Sequence, residues 1–168
     1  MSSSKKISKV SGISILHKNK KNIEGIIQFE ELEGERIKVK YEIKGMVDGK
    51  HGFHIHEYGD LSDGCMSACN HFNPFNKNHG GLKSKERHSG DLGNIVSKNK
   101  ISKGELIAGG LSLSKKKTNI LGRMIIIHDK EDDLGKGVGE LREESLKTGN
   151  AGSRVACGVI GIASKKCK

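Results

Sequence analysis

The chain has 168 residues, the size of one domain, with a formal net charge of +10 and only 4% aromatic residues. No apolar run approaches the ~20 residues of a membrane-crossing helix, and the start, Met1-Ser2-Ser3-Ser4-Lys5-Lys6, lacks the apolar stretch of a secretory signal. A membrane is therefore not an expected partner, the expected compartment is cytoplasmic, and the scattered lysines, not interleaved with aromatics, argue against nucleic acid.

Residues 1–9 read as a polar tail. Short apolar runs separated by glycine or charge follow, and they place strands at 13–16, 25–29, 37–43, 53–57, 94–97, 107–113, 123–128 and 156–162. The third shows the half-buried pattern most clearly: Ile37, Val39, Tyr41 and Ile43 alternate with Lys38, Lys40, Glu42 and Lys44. With 23 glycines, one proline and no helical periodicity, the chain predicts an all-β sandwich or barrel with many tight turns. A single domain is expected over residues 1–168, its core at about 10–164, with a short polar tail before the core and a Lys/Cys tail after it.

Two segments break this rhythm, one from Tyr58 to about Leu92 and one from Asp129 to about Val155. Loops of that length in a compact domain are usually functional. The first carries His71, His79, His88 and Asp91, and three imidazoles with one carboxylate complete a closed tetrahedral zinc shell. His54 and His56 stand two apart on an expected strand, so both rings project from one face. His128 ends a distant strand and could join them, and imidazole sets of this kind suit copper. His17 and His51 read as ordinary surface or core histidines.

Several runs resemble the signatures of the copper/zinc superoxide dismutases, in its eukaryotic cytosolic type. They are Gly52-Phe53-His54-Ile55-His56-Glu57-Tyr58-Gly59-Asp60, Gly64-Cys65, His71-Phe72-Asn73-Pro74, His79-Gly80-Gly81 and Arg87-His88-Ser89-Gly90-Asp91. Asp132-Asp133-Leu134-Gly135, Lys147-Thr148-Gly149-Asn150-Ala151-Gly152-Ser153-Arg154 and Ala156-Cys157-Gly158-Val159 follow in order. The resemblance implies an eight-stranded Greek-key β-sandwich, or flattened barrel, with a metal-binding loop and an electrostatic loop.

It also implies the roles. Copper is expected at His54, His56, His71 and His128, and zinc at His71, His79, His88 and Asp91, one ion of each per subunit. His71 is then the bridge and a proton donor in the disproportionation of superoxide. Asp132 is expected to orient His54 and His79 from behind, and Arg154 to hold the anionic substrate. Lys147, Thr148, Glu143 and Glu144 match the steering loop, although the stretch Val138–Arg142 is a few residues longer than in the family. Cys65 and Cys157 match the family's disulfide. Cys69, where glycine is usual, reads either as an inert buried thiol or as a rival of Cys65 for Cys157 by thiol exchange, and Cys167 reads as a free exposed thiol. A homodimer is implied through Tyr58, Gly59, Leu121, Gly122 and Gly161-Ile162-Ala163, and a copper chaperone is a further candidate partner. The rival reading is a catalytically silent metal-binding homologue that delivers copper or stores zinc. The complete ligand set and Arg154 count against it.

Overall fold

The computed structural model of the chain describes residues 10–164. The tail at 1–9 and Cys167 lie outside the described residues. The strands are β1 (Ser11–Leu16), β2 (Glu24–Leu32), β3 (Arg36–Lys44), β4 (Gly49–His56), β5 (Asp91–Ser97), β6 (Ile101–Gly109), β7 (Met124–His128), β8 (Arg154–Val159) and β9 (Gly161–Ile162). They form two antiparallel sheets in the orders β6–β3–β2–β1–β9 and β5–β4–β7–β8. The architecture is the expected all-β flattened sandwich, and neither sheet closes on itself. No helix among the described residues is long and apolar enough to cross a membrane.

The alternation read from β3 is obeyed: Ile37, Val39 and Ile43 are fully buried, while Lys40 and Lys44 are exposed. They meet Ile27 and Phe29 of β2 and the inward residues Phe53, Ile55, Ile95, Ile125 and Ile127 of the facing sheet. Strand β7 is buried along its whole length. Ile125 and Ile127 enter the main core, whereas Met124 and Ile126 face the other way, onto Ala68, Cys65 and Cys157. The first long loop thus covers the outer face of this sheet, and a strand covered on both faces reads as a continuous apolar run.

Three features differ from expectation. The strand placed at 107–113 runs at Ile101–Gly109 instead. Ser102 and Gly104 occupy inward positions there, which hides the alternation, while Leu111 and Leu113 are buried from a loop. The turn before it is tight because Asn99 and Lys100 both take positive φ and donate their N–H groups to the Asp48 carboxylate. The last strand divides at Ile160, so that β8 pairs with β7 and β9 with β1 in the other sheet. The second loop carries a helix, α1 (Arg142–Thr148), ended by Gly149 in the left-handed conformation.

A ring of three backbone hydrogen bonds joins β4 to the metal-binding loop. Ile55 N–H donates to Gly90 O (2.9 Å), Gly90 N–H to Phe72 O (2.9 Å), and Phe72 N–H to Ile55 O (2.8 Å). A Cβ at Gly90 would collide with the Ile55 carbonyl oxygen. Gly90→Ala is therefore expected to cost about 2 kcal/mol or more of stability and to weaken metal retention with it. Denaturant unfolding and metal analysis check this, and an unaltered midpoint with full metal content would refute it.

Candidate metal centre

His54 and His56 leave β4 on one face, His128 ends the neighbouring β7, and His71 arrives from the loop through the ring just described. All four are buried, and their ligating atoms lie within 4.8 Å of one another. His71, His79, His88 and Asp91 form a second buried group that meets the same limit. His71 belongs to both. Every residue expected as a metal ligand is therefore brought together.

The hydrogen bonds show which ring nitrogens are free. His54 Nε2 lies 2.8 Å from Asp132 Oδ2, His56 Nδ1 2.8 Å from Cys69 O, and His128 Nδ1 3.1 Å from Gly152 O. Each of these partners can only accept, so each contacted nitrogen carries the proton. The opposite atoms, His54 Nδ1, His56 Nε2 and His128 Nε2, are buried with no partner. Buried polar atoms are rarely left so. Three bare lone pairs converging beside His71 make a metal seat, and the carbonyl and carboxylate partners behind them set the tautomers.

The second group is tighter. Asp91 Oδ1 lies 2.8 Å from His71 Nδ1, 3.0 Å from His79 Nδ1 and 3.2 Å from His88 Nδ1, and the last is 3.3 Å from His71 Nδ1. Ligands ~2.0 Å from a tetrahedral zinc ion stand roughly 3.3 Å apart. His79 Nδ1 is also without a hydrogen-bond partner, because its approach to Asp91 is poorly aligned. Asp91 Oδ2 is held by the N–H groups of His88 (2.8 Å) and Gly80 (3.1 Å), which turns Oδ1 toward the three imidazoles. Asp132 joins the two groups, since its other oxygen lies 2.8 Å from His79 Nε2. A Cβ at Gly149, whose φ is +71, would strike that same oxygen, so this turn requires glycine.

Charge follows the same division. Burial, with the nearby His54, pushes His71 down to about 3. Burial likewise lowers His128 to about 4 against the opposing effect of the hydrogen bond it donates to the Gly152 carbonyl, and depresses His54 and His56. At His79 burial is outweighed by Asp132 and Asp91, and the ring rises to about 9. At Asp132 burial is outweighed by His54 and His79, which hold it at about 2, and at Asp91 the three histidines hold the carboxyl far below the usual range.

An open cleft of about 970 Å³ leads from solvent to His56, His71 and His128. Arg154 lines it, donating Nη1 to Cys65 O (2.6 Å) and Nη2 to Cys69 O. Lys147, Thr148 and Glu144 also line it, and Thr148 Oγ1 donates to Glu144 Oε1 (2.7 Å). Glu143 does not line it but pairs with Lys147 at 2.6 Å. Lys77, Arg123 and Lys130 add to the positive wall, a contribution that single residues in the sequence do not signal. Asn94 is also new: its amide grips the backbone of Asp132 from both sides, at 2.8 Å each. The Cys65–Cys157 disulfide is formed, with a Cα–Cα distance of 5.8 Å. Cys69 is exposed, against the expectation of a buried thiol, because its segment turns outward after the short helical turn Met66–Ala68. His51 is buried with its ring between His128 O and Val47 O, each 2.8 Å away, and His17 is exposed.

Residues 23–160 match the model of a family described as copper/zinc superoxide dismutase. The chain belongs to the copper/zinc superoxide dismutase family. It is 46% identical over 158 residues to the extracellular superoxide dismutase [Cu-Zn] of Brugia pahangi, covering 90% of this chain and 76% of that one. It is 49% identical over 141 residues to superoxide dismutase [Cu-Zn] A of Xenopus laevis, covering 84% and 91%. Among solved structures, the clock protein EA4 is similar with a TM-score of 0.85 and 42% identity, over 97% of this chain and 100% of that one. The cytoplasmic placement is overturned. One of these superoxide dismutases is named extracellular, and the Cys65–Cys157 bond is of a class that persists in oxidising surroundings.

The lowered value of His128 sets a pH dependence. The neutral ring is favoured in the fold relative to an unfolded chain near pH 6.5, so it contributes stability above about pH 6.5 that is lost as pH falls toward 4. NMR titration of the metal-free protein should find His128 still neutral at about pH 5.5. A midpoint near the ordinary histidine value would contradict the burial argument.

Proposed function

We propose that the chain disproportionates superoxide to oxygen and hydrogen peroxide, with one copper at His54, His56, His71 and His128 and one zinc at His71, His79, His88 and Asp91. The observation that carries this reading is the shared His71, which joins a set of bare imidazole nitrogens at the foot of a cationic cleft to a closed tetrahedral set behind it. When bound, copper supplies alternate one-electron reduction and reoxidation, and zinc supplies fixed charge.

The chain's own residues do the rest. Because His71 Nδ1 faces Asp91 and His88, Nε2 is the atom left to serve the first set. It can take up a proton there and yield it to the reduced product. Arg154 presents a fixed cation beside His56 and His128 and holds the anionic substrate. The excess of lysine and arginine over Glu57 and Glu144 on the cleft wall draws superoxide inward. Lys147 acts within its pair with Glu143, and Thr148 is pinned by Glu144. Asp132 fixes the rings of His54 and His79 and couples the two sets.

Exposed Tyr58 and Ile162, with the close approach of Gly59 to the Gly122 carbonyl, support a homodimer through this end of the sandwich. A catalytically silent copper carrier or zinc store is disfavoured because the substrate cation and every ligand stand together.

The decisive experiment is dismutation by the purified protein with copper and zinc quantified in the same sample. Fast turnover that vanishes on copper removal and returns with copper supports the reading. Inactivity at one copper and one zinc per chain would reject it in favour of the carrier. Arg154→Ala should lower kcat/KM about tenfold or more at low salt with metal content unchanged, and equal rates would remove the steering role. Asp132→Asn cannot accept from both rings at once, so zinc retention against a chelator should fall roughly 10–100-fold. Retention equal to that of the parent chain would contradict the coupling.

A further inference from the structure

Arg87 has no part in the chemistry above, yet it is half-buried directly behind the second metal set. Its Nη1 donates to His88 O (2.7 Å), Ser89 O (3.0 Å) and Asp91 O (3.2 Å). Its Nη2 donates to Gly109 O (2.5 Å), at the end of β6 in the opposite sheet. Among the described residues it makes no ion pair with a carboxylate. Its charge is spread over four backbone carbonyls, two of which belong to His88 and Asp91.

We propose that Arg87 is a positioning residue for the zinc set, a clamp that holds the His88–Asp91 turn against the end of β6. This rests on the reading of the second cluster as the zinc site. That turn has little apolar content of its own, and its buried carbonyls need donors. A planar guanidinium presents five N–H groups in a fixed fork and can serve both sides of the gap. With the turn anchored, His88 Nδ1 and Asp91 Oδ1 are held 3.2 Å apart. Preorganised ligands bind more tightly because less ordering is left for the ion to impose. A lysine has one compact head and cannot reach the Gly109 carbonyl and the turn together.

The test uses Arg87→Lys and Arg87→Gln in the full chain. Zinc affinity is measured by chelator competition, and cobalt(II) at the same site serves as a spectroscopic probe of ligand geometry. Both variants should bind zinc about 10–100-fold more weakly and show altered visible cobalt bands, which a purely structural clamp would leave unmoved. Folded variants with the zinc affinity and cobalt spectrum of the parent chain would overturn the inference. If Arg87→Gln does not fold, Arg87→Lys decides by the same two readouts. A parent chain that binds neither zinc nor cobalt at this site would instead sink the reading of the cluster, and the inference with it.

Discussion

Three peptide groups, those of Ile55, Phe72 and Gly90, close a ring of backbone hydrogen bonds, and the rest of the site depends on it. The ring joins a strand to two turns of a long loop. Each member stands within two residues of a metal-set histidine or aspartate: Ile55 between His54 and His56, Phe72 after His71, and Gly90 before Asp91. A loop of that length with little apolar content would otherwise be ordered only by its ligands. The backbone contacts supply a second source of order for that loop, independent of its side chains.

The same economy recurs behind the ligands. Asp132 accepts from two rings of different sets, and Asn94 grips its backbone. The Cys69 carbonyl receives both His56 Nδ1–H and the Arg154 guanidinium, so one peptide oxygen positions a histidine of the first cluster and the arginine of the cleft. Cys69 carries φ +58, a conformation that L residues rarely adopt. The backbone at this point favours glycine, and the cysteine is accommodated because its side chain reaches solvent.

The function therefore arises from layers of differing polarity. The sandwich core is apolar and rigid. Over one sheet lies a shell of buried histidines and aspartates, each tied to a defined acceptor or donor. Outside that lies a cationic cleft whose charges stay in contact with water. Burial keeps the imidazoles of the first set neutral and able to ligate, while the cleft charges remain in water. The disulfide ties the loop that covers β7 to β8, the strand that carries Arg154.

Much of this was legible in the residues. Alternation in β3, the apolar run of β7, the histidine spacing and the ordered motifs pointed to an all-β metal protein. They marked the histidines and the aspartate of both clusters as candidate ligands, because covalent order and side-chain chemistry are written in the chain. The position of β6 was not legible, since Ser102 and Gly104 face inward where an apolar side chain is the usual signal. The division of the last strand between two sheets depends on partners far away in sequence, and so does the placement of Asn94, Lys77 and Arg87. What the chain alone determined was which groups could bind a metal. Only the tertiary structure decided which nitrogen of each ring is bare and which carbonyl holds the other, because hydrogen-bond partners across 13 to 78 residues are set by packing and not by local sequence.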